Sequence, residues 1–134
     1  MADANIILGL DIGDRHIGVA IGNLITRTAS PLSDLDNNRS LPDAILKLYH
    51  QYSFSKVVIG LPVTATGQHG SQAHKVKDLV NELTDQIPSE IIFEDERFTT
   101  RSAEKILRAQ PHTEHTIDGI SAQLILESWL ARQP

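Results

Sequence analysis

The chain has 134 residues, 40% of them hydrophobic, no cysteine and a formal net charge of −5 at pH 7. That is the size of one ordinary domain with enough apolar content for a real core, and the missing cysteine excludes disulfides and thiolate metal sites and fits an intracellular protein. The acidic balance argues against a coat protein that binds nucleic acid through many phosphate contacts, and 4% aromatic residues argue against an aromatic base-stacking platform. An enzyme acting on nucleic acid is not excluded, because clustered carboxylates lower the net charge and also hold divalent cations.

Met1 to Asn5 is short and acidic and runs at once into strand-like sequence. Neither a signal peptide nor a membrane span is expected there, and a cytoplasmic location is. Ile6 to Asp11 and Ile17 to Ile21 are two apolar runs separated by a charged, glycine-containing turn, which predicts a β-hairpin. A third, weaker strand is expected over Leu24 to Ala29, with a polar loop over residues 33–40. Leu41, Ala44, Ile45, Leu48 and Tyr52 recur at helical spacing behind Pro42, which suits a first helical turn. "KVVIGLP" reads as a buried strand, "VTATGQHG" as a loop, and Ala73, Val76, Leu79, Val80 and Leu83 as the apolar stripe of a second helix. "EIIFEDE" is a further strand, "TTRSAEKILRAQ" a helix, "HTEHT" a loop, and Ile117 to Arg132 a last helix. An antiparallel start followed by βα alternation predicts a mixed five-stranded sheet with helices on both faces, forming a single domain over residues 1–134.

Three acidic positions carry candidate chemistry. Asp11 sits in a run that otherwise calls for buried sheet, and a carboxylate among core residues is costly unless it is paired or binds a metal. The plainer reading is a strand-end acid that closes its own hairpin. Glu94, Asp95 and Glu96 stand together at the end of an apolar strand, where solvent or a cation must relieve their repulsion. Alternation puts Glu94 and Glu96 on one face and Asp95 on the other; a solvated strand end with Arg97 as counter-ion is the alternative. Asp118 begins the last helix, where acids favour the dipole, but the next turn carries small residues, Ser121 and Ala122, that let the helix press close to a sheet. Three acids from three elements suit magnesium or manganese, and two such ions roughly 4 Å apart can support phosphodiester cleavage.

Basic and glycine-rich stretches surround these acids. Gly60, Gly67 and Gly70 precede a helix bearing Lys75 and Lys77, a segment that can receive phosphate or serve only as a connection, and no Walker A motif is present. Arg97, Arg101, Lys105 and Arg108 share one helical face if the helix is regular, as a nucleic-acid track or as a solvated basic face. His69, His74, His112 and His115 have no zinc spacing and are expected as exposed loop histidines.

The segments "LGLDIGDRHIGVAIGN", "VVIGLPVTATGQHGSQAHKV", "EDERFTTRSAE" and "IDGISAQLILESWL", in this order and spanning nearly the whole chain, resemble the YqgF or RuvX-like family of ribonuclease H-like proteins. The family was first viewed as Holliday-junction resolvases and is now generally regarded as nucleases that process the 5′ end of precursor 16S rRNA. The resemblance implies a ribonuclease H-like fold and a metal-dependent acidic site, with a two-metal Mg2+ or Mn2+ arrangement. Asp11 matches the first-strand acid, Glu96 the second, with Asp95 as its rival, and Asp118 the acid of the last helix. Arg15, Arg97, Arg101, Gly67, Gly70 and Lys75 are then expected to position the nucleic-acid backbone. Two departures stand out. His16 replaces the second residue of a basic pair, which weakens a phosphate contact or makes it pH-dependent, and Gly22–Asn23 replaces the family's serine–aspartate.

The implied partner is structured nucleic acid, precursor rRNA ahead of branched DNA, with the ribosome as a further partner, no membrane, and a monomer or weak homodimer. Three other readings remain: a nucleotide-binding or kinase half-domain, suggested by the "DIGDRHIGVAI" hairpin, a noncatalytic RNA-binding module of ribosome assembly, and a branched-DNA resolvase.

Overall fold

The computed structural model describes residues 3–13, 15–61, 71–95 and 117–134, with the backbone alone at residues 61, 71–75, 95, 117 and 118. Five strands, β1 (Asp3–Ile12), β2 (His16–Asn23), β3 (Thr28–Asp36), β4 (Phe54–Leu61) and β5 (Glu90–Asp95), form one sheet in the order β3-β2-β1-β4-β5. β1 pairs antiparallel with β2 and parallel with β4, and β5 continues parallel beside β4. Three described helices, α1 (Leu41–Tyr52), α2 (Ser71–Gln86) and α3 (Ile117–Ala131), cover it. None of the described helices is long and apolar enough to cross a membrane.

Strand alternation divides the core in two. Leu8, Leu10 and Ile12 of β1 join Val57 and Ile59 of β4 under Leu41 and Ile45 of α1 and Val76, Leu79 and Leu83 of α2. Ile7 of β1, Ala20 of β2 and Val58 of β4 instead meet Ala122, Ile125, Leu126, Trp129 and Leu130 of α3. Because β1 and β4 are covered on both faces, they read as continuous apolar runs, and the expected helices on both faces are present.

The third strand begins and ends later than the sequence pattern predicts. Asn23 Oδ1 accepts the Ile25 N–H at 2.8 Å, so residues 24–27 form a turn, completed by Arg27 at φ 58°. Strand pairing then runs to Asp36, into the expected polar loop, with His16 opposite Asp36. β3 is an edge strand, which tolerates Pro31 and polar residues that a central strand would reject. The expected loop over 63–70, the helix over 99–110 and the loop over 112–116 lie outside the described residues.

α1 starts as read, with Pro42 in its first turn, and stops at Ser53, whose left-handed backbone (φ 54°) lets its N–H bond Tyr49 O at 2.7 Å.

Candidate active site

Asp11 is the penultimate residue of the central strand. Its ladder partners are Gly18 on β2 and Gly60 on β4, and Gly60 in turn pairs with Glu94 on β5. Alternation from Ile7, Ala20, Val58 and Ile92, all in the α3 core, places Gly18, Asp11, Gly60 and Glu94 on the α3 face. Asp11 is half-buried, and both neighbours in its row lack a side chain. Among the described residues no hydrogen bond or ion pair reaches its carboxylate. A cavity of about 330 Å³ lined by Ile12, Asn37, Arg39, Leu41, Asp78 and Glu82 lies at the α1/α2 face, on the other side of the sheet.

α3 runs antiparallel to β1, and contacts at two glycines fix its path. A Cβ at Gly9 would stand 3.0 Å from Leu126 Cβ and 3.2 Å from Ala122 O, and one at Gly22 would stand 2.8 Å from Leu126 Cδ2. Helix backbone and sheet therefore approach as closely as they do because these positions are glycine. Arg27 Nη1 donates to Leu130 O at 2.8 Å and Gln133 O at 2.6 Å, closing the far end of α3 on the β2–β3 turn. From the contact at Gly9, Asp11 lies two residues further along β1, about 7 Å. From Ala122, Asp118 lies one helical turn back, about 6 Å in the same direction. The first turn of α3 thus reaches the edge of the sheet where Asp11 sits.

The three parallel strands end on that edge, at Ile12, Leu61 and Asp95. The carboxyl ends of parallel strands are where open α/β sheets bind ligands. Glu96 follows Asp95 directly but lies outside the described residues, as do Arg97, Arg101, Gly67 and Gly70. Asp118, Lys75 and Asp95, the alternative second acid, are described by backbone only. Arg15 is exposed in the β1–β2 turn. That turn is tied by Gly13 N–H to His16 O at 3.0 Å, by Asn37 Nδ2 to Gly13 O at 2.7 Å and by Asn37 N–H to Arg15 O at 2.8 Å. The His16 Nδ1 is 3.6 Å from Asp36 Oδ1, both exposed.

Glu94 departs from the reading of a solvated strand end. It is 8% exposed and takes an ion pair from Arg132 Nη2, just beyond α3. Its counter-ion comes from the α3 end of the chain, a pairing that local sequence could not reveal. Sequence reasoning also passed over Asn37 as loop and Ser121 as merely small. Ser121 is 1% exposed, and among the described residues its Oγ alone is a buried side-chain polar atom without a hydrogen-bond partner. No group of three metal-ligating side chains occurs among the described residues.

A five-stranded mixed sheet with the first three strands antiparallel, two parallel strands beyond them, helices on both faces and an acid on the central strand defines a ribonuclease H-like α/β domain. Solved structures agree on the fold. The Fowlpox virus resolvase in complex with Holliday-junction DNA superposes with TM-score 0.60 at 14% identity, covering 94% of this chain and 97% of that one. RuvC from T. thermophilus, solved with a Holliday-junction substrate, gives TM-score 0.58 at 13% identity, covering 93% of each chain. The chain belongs to the RuvX family, whose model, described as a Holliday junction resolvase, matches residues 5–132. A relative from Sulfurihydrogenibium sp. (strain YO3AOP1), named "Putative pre-16S rRNA nuclease", is 44% identical over 130 residues, covering 94% of this chain and 90% of its own.

Proposed function

We propose that this protein is a divalent-metal-dependent nuclease that hydrolyses phosphodiester bonds in structured nucleic acid, with the 5′ region of precursor 16S rRNA as its substrate. The observation that carries the reading is Asp11: a half-buried carboxylate without a protein partner among the described residues, set between two glycines on the central strand. Among the described residues, a carboxylate so placed gives up part of its hydration without gaining an ion pair, an arrangement that a cation relieves. The donor set fits magnesium or manganese, since it offers carboxylate and hydroxyl oxygens and no thiolate.

Asp11, Glu96 and Asp118 would hold the metal, which when bound supplies an activated water and neutralises charge developing on the phosphate and leaving oxygen. The protein's own contribution is placement. Gly18 and Gly60 leave the flanks of Asp11 clear for a phosphate. The turn tied by Asn37 holds Arg15 at the same edge of the sheet, where its guanidinium can pair with the backbone of the nucleic acid. Arg97, Arg101, Lys75 and the segment around Gly67 and Gly70 complete this reading as further backbone contacts.

Precursor rRNA is preferred to a DNA junction because the relative that shares 44% identity bears the rRNA name, whereas the junction-bound structures share only the fold at 13–14% identity. The test is cleavage of precursor 16S rRNA and of a four-way DNA junction by the wild type and by Asp11→Asn, with Mg2+, Mn2+ or chelator. Loss of rRNA cleavage by at least a hundredfold in Asp11→Asn and in chelator is expected. Cleavage that survives Asp11→Asn would refute the mechanism, and cleavage of the junction alone would transfer the assignment to resolution.

A further inference from the structure

We infer that Ser121 is a positioning residue of this site, its hydroxyl reserved for an oxygen that arrives with the divalent cation. The inference rests on the proposed metal-dependent reading and concerns a residue that reading does not use. A serine inside a helix ordinarily returns its hydroxyl to the carbonyl four residues back, as Thr84 of α2 does to Val80 O at 2.8 Å. Ser89, also buried, donates to Phe54 O at 2.7 Å. Ser121 is more deeply buried than Ser89, yet makes no hydrogen bond among the described residues. Such a group costs stability in the resting protein, so its retention asks for a partner that comes and goes.

Its position says where that partner binds. Gln123 donates to Ala29 O on β3, which marks one flank of α3. Ile125 and Trp129 follow Ser121 at four-residue steps and share a core cluster with Val58 of β4 and Ile92 of β5, so this stripe lies on the β4–β5 flank. Along the helix, Ser121 adjoins Ala122, the residue above Gly9, and stands nearer the Asp11 edge. The sheet position on that flank and at that edge is Gly60, between Asp11 and Glu94, which contributes no side chain. Ser121 is thus the hydroxyl that α3 presents where the sheet leaves room.

The test uses the full chain with Mg2+ alone and then with RNA, comparing wild type, Ser121→Ala and Ser121→Cys. Without metal, Ser121→Ala is expected to melt about 2–4 °C higher than the wild type, because an unpaired buried hydroxyl is removed. The rise in melting temperature on adding Mg2+ should shrink in both variants. The Mg2+ concentration for half-maximal cleavage should rise about tenfold, the scale on which outer-shell partners act. A metal-free Ser121→Ala that melts lower than wild type would mean that the hydroxyl is bonded within the protein, and an unchanged Mg2+ requirement would equally overturn the inference. Loss of cleavage in Asp11→Asn alongside a wild-type Mg2+ response in Ser121→Ala would defeat this inference alone. Retention of cleavage in Asp11→Asn would defeat the functional reading beneath it.

Discussion

Alanine at Gly9 is the most direct probe of how α3 is seated. The new Cβ would lie 3.0 Å from Leu126 Cβ and 3.2 Å from the Ala122 carbonyl oxygen. Neither atom can swing away, since one is fixed to the helix backbone and the other belongs to it. Relief therefore requires α3 to lift by a few tenths of an ångström along its packed length. Overpacking of this kind costs about 1–3 kcal/mol, offset by about 0.4–1 kcal/mol because alanine restricts the unfolded chain. A net loss of about 1–2 kcal/mol corresponds to a drop of roughly 3–8 °C in melting temperature for a domain of this size. Gly22→Ala is the control. Its Cβ comes nominally closer, 2.8 Å, but to Leu126 Cδ2, a side-chain end that can change rotamer, so its loss should stay below about 1 kcal/mol. Because lifting α3 also displaces the turn that carries Asp118, Gly9→Ala should lower cleavage at temperatures where it remains folded, and Gly22→Ala much less. Thermal melts and single-turnover cleavage on the two variants decide it. A Gly22→Ala protein less stable than Gly9→Ala would refute the reasoning, as would a Gly9→Ala protein indistinguishable from wild type.

Other substitutions isolate single features. Ser53→Gly should raise stability by roughly 0.5–1 kcal/mol in chemical denaturation, because Ser53 holds a left-handed backbone at the end of α1 that glycine adopts without strain. Arg132→Met should cost about 1–2 kcal/mol, since it strands the buried Glu94 carboxylate, and the partial exposure of Arg132 keeps the loss below that of a fully buried pair. Glu94→Gln should cost less in the same melts, because the amide oxygen still accepts from the guanidinium; a larger loss from Gln than from Met would show that the charge on Glu94 is needed elsewhere.

Much of this fold was legible in the chain because its strands and helices obey simple periods. β1, β2 and β4 are apolar runs of β-branched residues and leucine, and α1 shows its apolar stripe and its proline. β3 was misplaced because an edge strand buries little, so its residues through Asp36 carry no apolar signature, while Asn23 and Arg27 form a turn inside the expected strand. Asp11 was visible as a carboxylate out of keeping with its strand, but its neighbours across the sheet, Gly18 and Gly60, were not. That these two glycines flank it in the same row depends on strand order, which no local pattern contains. Glu94 looked like one of three solvated acids because its partner lies 38 residues away. Ser121 left a faint signal, a hydroxyl in the otherwise apolar stripe through Ile125 and Trp129, but only burial turns it from a small residue into an unpaired donor.

On the proposed function, the two faces of the sheet divide stability from chemistry, and the alternation of one strand accomplishes the division. Along β1, Leu8, Leu10 and Ile12 point to the α1 and α2 side, where large branched side chains fill the layer. Ile7, Gly9 and Asp11 point to the other, where the side chain is large, then absent, then charged. The glycine is what lets α3 come close enough for its first turn to reach the edge at Asp11. A helix held off at ordinary leucine-packing distance, 8–10 Å or more from the sheet axis, would leave the backbone of that turn too far from Asp11 for the shared metal site proposed above. The same tightness removes the slack to accommodate a single methyl group. Substitutions on the α1/α2 face should therefore change stability with little effect on cleavage by the folded fraction. On the α3 face, changes at Gly9 and Ser121 should move cleavage out of proportion to stability, and at Ser121 in the opposite direction.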